Sequence, residues 1–293
     1  MMAAQVIGDQ SMQKQRILIA GCGDVGSALG LELIAAGHFV QGLRRTINQL
    51  PAGIHGIAAD LTDPTSLTGR LPACDILVYC AAASQHDEAG YRAAYIEGLR
   101  NLLEALPARP RHLFFTSSSG VYHQADGGRV DETSPAQPER FSGKVMLEAE
   151  RLAHDSGMAA TVVRFSGIYG PGRNHLINQV RSGVAAPASP VHYSNRIHRD
   201  DCAGILAHLI TIALRGESLE PLYLASDDEP APLHEVMEWL AEQLGIEIRE
   251  RRPIRRGGSK RCSNARLKAS GYRFRYPDYR AGYQEILKGI QDL

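Results

Sequence analysis

The chain has 293 residues, 44% of them apolar and 22% charged, and its 32 basic and 32 acidic side chains cancel. That is enough chain for one large domain or a domain with an appended lobe. The cancelled charge removes any global field drawing it to nucleic acid or membrane. Cys22, Cys74, Cys80, Cys202 and Cys262 make no C-x-x-C pair, which argues against a disulfide framework or a metal site and for a reducing, cytoplasmic setting.

In chain order, residues 1–15 are polar and read as a disordered tail. The run 16–26, RILIAGCGDVG, organises the rest of the chain. A short apolar strand leads into Gly21, Gly23 and Gly26 at G-x-G-x-x-G spacing, and helix-type sequence continues over 27–36. Gly21 makes the sharp turn, Gly23 admits a pyrophosphate, and Gly26 lets helix and strand pack closely. The N–H groups of Asp24 and Val25 then sit at the positive end of a helix, where an anion is held.

Strand-like and helix-like segments alternate onward: strands at 38–43, 57–59, 76–80, 112–116 and 161–164, with helices at 91–106 and 144–154. The fully apolar run ILVYC at 76–80 suits a strand covered on both faces. The pattern predicts an α/β fold, a Rossmann-type doubly wound parallel sheet over 16–165. Ligands bind outside the carboxyl ends of such strands, here marked by Gly21, Arg44, Asp60, Ala81, Thr116 and Phe165. Residues 166–196 and 219–293 read as a smaller substrate lobe over that edge, with 197–218 packing on the sheet domain; a helix over 200–214 is expected to be capped by Asp200. No run approaches the roughly 18 apolar residues of a membrane span.

The end of the second strand carries Arg44 and Arg45 where NAD-binding folds place a carboxylate. A guanidinium can grip a 2′-phosphate bidentately, so NADP is expected over NAD. Asp60 and Leu61 fall beside the adenine, and Ala81 and Ala82 offer the small side chains a cofactor needs alongside it.

These pieces resemble the extended short-chain dehydrogenase/reductases, the NAD(P)-dependent epimerase/dehydratase group. The resemblance is carried by AGCGDVG at 20–26, GLRR at 42–45, GLRNLLEA at 98–105, FTSSSGVY at 115–122, RFSGIYGPGR at 164–173, RIHRDD at 196–201 and LYLASDDEP at 222–230. It implies a small polar substrate, such as a nucleotide-linked sugar, bound between sheet and lobe, and a homodimer. It assigns Ser118 to orienting the substrate and Lys144 to the nicotinamide ribose. The family's tyrosine, four residues before that lysine, is Arg140 here, and Tyr95 stands where relatives carry an asparagine. Tyr122 and Tyr169 are the candidate replacement phenols. Ser119, Arg140, Arg173 and Arg196 are candidate substrate contacts. No metal is expected. The missing tyrosine leaves open a cofactor-binding sensor that does not turn over.

Overall fold

The computed structural model describes residues 14–254 and 258–291. Most of the expected tail (1–13), and Arg255 and Arg256 of a basic run at 249–261, lie outside them. Gln15 already belongs to the fold, since its carbonyl accepts from Phe39 N–H.

Seven parallel strands form one sheet: β1 Arg16–Ala20, β2 Phe39–Arg44, β3 His55–Ala58, β4 Ile76–Tyr79, β5 His112–Ser118, β6 Ala159–Phe165 and β7 Leu222–Ala225. Their order is β7-β6-β5-β4-β1-β2-β3. Side chains alternate across β1, so Ile17 and Ile19 join one apolar layer while Leu18 and Ala20 join the other. The first layer holds Leu29 and Leu33 of α1 (Asp24–Ala35) with Ile205 and Leu209 of α5 (Arg199–Leu214). The second holds Leu99 and Leu102 of α2 and Val145 and Ala149 of α3 (Phe141–His154). Helix α2 runs over Glu88–Arg92, widens into a π turn at Ala93–Glu97, and continues over Gly98–Ala105.

A third apolar cluster forms beside the sheet from Ile177 and Val180 of α4 (His175–Arg181), Val236 and Leu240 of α6 (Leu233–Leu244), and Tyr279 and Tyr283 of α7 (Tyr279–Gln291). The structure corrects the expected lobe at one point. Leu222–Ala225 is the seventh strand of the sheet, Leu222 to Ala225 pairing with Val162 to Phe165. Tyr223, Leu224 and Ala225 are all buried, and two apolar faces need two covering layers, which the sheet provides. Helix α5 is capped by His198, whose Nδ1 accepts from Asp200 N–H at 3.2 Å; Asp200 itself lies in the first turn.

His112, at the start of β5, bonds Thr161 Oγ1 through Nε2 at 2.9 Å and stacks on Phe114. Burial holds its pKa down at about 4. The unfolded chain therefore takes the proton first, and stability is lost as pH falls from about 6.5 towards 4. A His112→Gln variant is expected to lose less melting temperature than the parent between pH 7 and pH 4.5; equal losses would show that this imidazole is not a source of acid sensitivity.

Candidate functional site

Beyond Ala20 the chain turns at Gly21, with φ +81°. Gly21 and Cys22 N–H both donate to Leu43 O, at 3.0 and 2.9 Å, which ties the turn to β2. A Cβ at Gly26 would sit 3.1 Å from Ile19 Cγ2, so glycine there permits close helix packing, as expected. Gly23 caps α1 without a side-chain bond, and a Cβ there would meet nothing nearer than Gly21 O at 3.9 Å. The turn thus leaves a shaped opening beside the amino end of a helix, lined by Gly21, Gly23, Asp24 and Val25. That is the room and the partial positive charge a diphosphate needs.

The opening is one part of a cleft of about 830 Å³ across the carboxyl ends of the strands. At one end stand Arg44, Arg45 and Thr46. Arg44 donates to Cys22 O at 3.4 Å and to Gln49 Oε1. Asp60 closes its own turn, its Oδ1 accepting from Thr62 N–H and Oγ1, beside Leu61. Ala81, Ala82, Thr116, Ser118 and Phe165 line the middle and far end. Thr116 Oγ1 donates to Tyr79 O at 3.1 Å. Ser118 Oγ accepts from Gly120 N–H at 3.0 Å, which leaves its hydroxyl proton to donate. Arg173 reaches the cleft from the segment after β6, and its Nε meets Asp24 Oδ2 at 2.7 Å while Arg199 takes Oδ1 at 3.0 Å. Asp24 is thereby paired with two guanidiniums beside the glycine turn.

Several expected residues lie elsewhere. Helix α3 begins at Phe141, earlier than the sequence suggested, and turns Ser142, Gly143 and Met146 to the cleft. Lys144 stands about 200° around the helix from Ser142 and is exposed to solvent. Arg140, the N-cap residue of α3, is exposed and outside the cleft. The cleft-facing pair four residues apart is Ser142 and Met146, which holds neither a phenol nor an amine. Tyr122 is core: its hydroxyl accepts from Arg164 at 2.9 Å, and burial pushes its pKa up to about 12. Tyr169 packs against His198 and Tyr283, donates to Asp278 O, and is pushed up strongly by burial. Ser119 is buried against the Cys262 thiol. Arg196 is buried under Tyr279 and donates to Ser194 Oγ at 2.7 Å.

The cleft also contains residues that sequence reasoning passed over. Tyr91, Ser142, Met146 and Ser166 line it, and Ser166 Oγ is buried without a protein partner. The helical spacing of Ser142, Gly143 and Met146 is legible only once the start of α3 is known. No signal in the sequence marks Ser166. Among the described residues no helix is long and apolar enough to cross a membrane.

Comparison with known proteins adds to this geometry. The sequence model of the NAD dependent epimerase/dehydratase family matches residues 17–211. A solved structure from Methylobacillus flagellatus, assigned to the NAD-dependent epimerase/dehydratases, is 42% identical, with a TM-score of 0.81 over 95% of this chain and 100% of that one. Protein YeeZ of Escherichia coli K12 is 28% identical over 90% of this chain and 97% of its own. A 3-diazoavenalumate denitrifying reductase from a Streptomyces species is 26% identical over 78% of this chain and 82% of its own.

Proposed function

The chain belongs to the NAD dependent epimerase/dehydratase family, and from that premise we propose that it is an NADP-dependent oxidoreductase acting on a small polar substrate. The observation that carries the reading is one continuous cleft with the glycine turn at its middle, Arg44, Arg45 and Thr46 at one end, and Ser118 at the other. The residues fit the cofactor. The uncapped start of α1 suits the diphosphate, the guanidiniums suit a 2′-phosphate, and the small Ala81 and Ala82 let the chain lie close. When bound, the nicotinamide would supply hydride chemistry. Ser118 would donate its hydroxyl proton to a substrate oxygen as charge builds there. Arg173, already turned to the cleft, would meet a substrate or cofactor phosphate. The free cysteines, with Cys22, Cys74, Cys80, Cys202 and Cys262 all pushed up by burial, suit a reducing cytoplasm.

The second reading is a cofactor sensor without turnover, and the serine and methionine at the cleft-facing positions of α3 favour it. Fluorescence titration tests both. NADPH is expected to bind at least about tenfold tighter than NADH, a margin that one charge-assisted pair can supply. Arg44→Asp should erase the margin, and equal affinities in the parent would refute the NADP assignment. NADPH binding without oxidation across a broad panel of sugars, aldehydes and ketones would favour the sensor.

A further inference from the structure

We propose that Tyr95, presented to the cleft by the π turn of α2, is the proton donor of a carbonyl reduction, taking the place of the phenol that α3 lacks. The substrate class is an aldehyde or ketone with an apolar flank, and the proposal rests on the dinucleotide reading above. Four observations carry it.

First, the π turn has a local cause. Tyr79, at the end of β4 and fully buried, donates its hydroxyl to Ala94 O. That carbonyl would otherwise serve the helical ladder of Gly98 N–H, and the ladder widens at Ala93–Glu97. Gly98 admits the hydroxyl, since a Cβ there would sit 2.7 Å from it. π turns inside α-helices recur at functional sites, and this one holds Tyr95 at the cleft wall.

Second, Tyr95 stands at the end of the cleft where α3 begins. Its ring lies 5.3 Å from Tyr91, and Tyr91 lies 5.4 Å edge-on to Phe141, the residue before Ser142. Tyr91 and Met146 give that end its apolar wall.

Third, the cleft wall carries two hydroxyl donors, those of Tyr95 and Ser118. Gly120 N–H donates to Ser118 Oγ at 3.0 Å. That oxygen has its acceptor role filled, and its proton is left to donate. Burial pushes the Tyr95 phenol up, so it is protonated at neutral pH. Cys80 is pushed up to about 12. The lining carboxylates are engaged: Asp24 by two arginines and Asp60 by its own turn. With their protons in place, Tyr95 and Ser118 can donate to an oxygen on which charge builds.

Fourth, the balance closes. The bound reduced nicotinamide would supply the hydride, its C4–H bond breaking to leave the oxidised cofactor; as the new C–H bond forms and the C=O π pair moves to oxygen, the Tyr95 proton completes the alcohol. Solvent then returns a proton to the phenolate.

The test uses the whole chain, with 3-fluorotyrosine incorporated for ¹⁹F NMR, and a panel of alkyl and aryl aldehydes and ketones with NADPH. The Tyr95 resonance, identified by its loss in Tyr95→Phe, is expected to shift on saturation with NADP⁺. Tyr95→Phe is expected to lower kcat by at least about a hundredfold while leaving the NADPH Kd within twofold. Three results would overturn the proposal while leaving the cofactor reading intact: an unmoved Tyr95 resonance, a kcat within twofold in Tyr95→Phe, or NADPH binding with no carbonyl in the panel reduced. Failure of the parent to bind either NADPH or NADH would instead remove the reading beneath it, and the proposal with it.

Discussion

Glu150→Ala is expected to destabilise the fold by about 3–5 kcal/mol, the cost of leaving one member of a buried ion pair alone. Glu150 and Arg164 are each 7% exposed at the side chain and meet at 2.6 Å, with a second bond from Arg164 Nε at 2.9 Å. Ser117 Oγ also donates to Glu150, and Arg164 reaches on to the Tyr122 hydroxyl. Removing the carboxylate strands a guanidinium and a serine hydroxyl in a site closed to water. For a chain of this size the melting temperature should fall by roughly 5–8 °C. The paired variant Glu150→Leu with Arg164→Met should recover most of that loss, because no buried charge remains. A melting temperature unchanged in Glu150→Ala would show that water reaches the pair. The network also has a functional side: it ties the end of β5 to α3 and β6, so its loss should displace Ser118 as well.

The two glycines of the β1–α1 turn are expected to fail in different ways. Gly21→Ala would put a Cβ 2.8 Å from Cys80 C and closer still to Ala81, both backbone, at a φ of +81°. Backbone cannot move aside as a side-chain tip does. Strain and clash together should exceed about 3 kcal/mol, giving poor soluble yield or a strongly lowered melting temperature. At Gly23 the added carbon has room, with only Gly21 O at 3.9 Å. Gly23→Ala should melt within about 2 °C of the parent and yet bind NADPH at least about tenfold more weakly, since the methyl stands where the diphosphate must approach. If Gly23→Ala bound as tightly as the parent, the diphosphate would not lie at this turn. If Gly21→Ala folded unchanged, the close approach of β4 to the turn would be wrong.

Much of the site was legible without coordinates, because it depends on neighbours in sequence. A strand, three spaced glycines and a helix make the turn by local geometry. Arg44 and Arg45 reach the cleft because they come directly after β2 or at its end, and Thr116 and Ser118 because they end β5. The errors share another origin. Assigning Lys144 to the cleft took its place in a motif for its direction in space. On a helix, a two-residue shift of phase turns a side chain about 200°, from cleft to solvent. The phase of α3 is set by where the helix begins and which layer it packs on. Tyr122 and Tyr169 sit near the right motifs in sequence, yet Arg164, His198 and Tyr283 claim them from distant segments.

The strand–helix alternation, the glycine turn and the arginine pair after β2 can be read from the chain alone, since each rests on residues a few positions apart. Packing between distant segments is what makes Leu222–Ala225 complete the sheet, turns Ser142 and Met146 of α3 to the cleft in place of Lys144, and sets Tyr95 at the cleft wall. The reason is the same in each case. These outcomes hang on contacts between residues far apart in the chain, such as the Tyr79 hydroxyl drawing the Ala94 carbonyl out of its helix, and periodicity carries no information about partners beyond its own window.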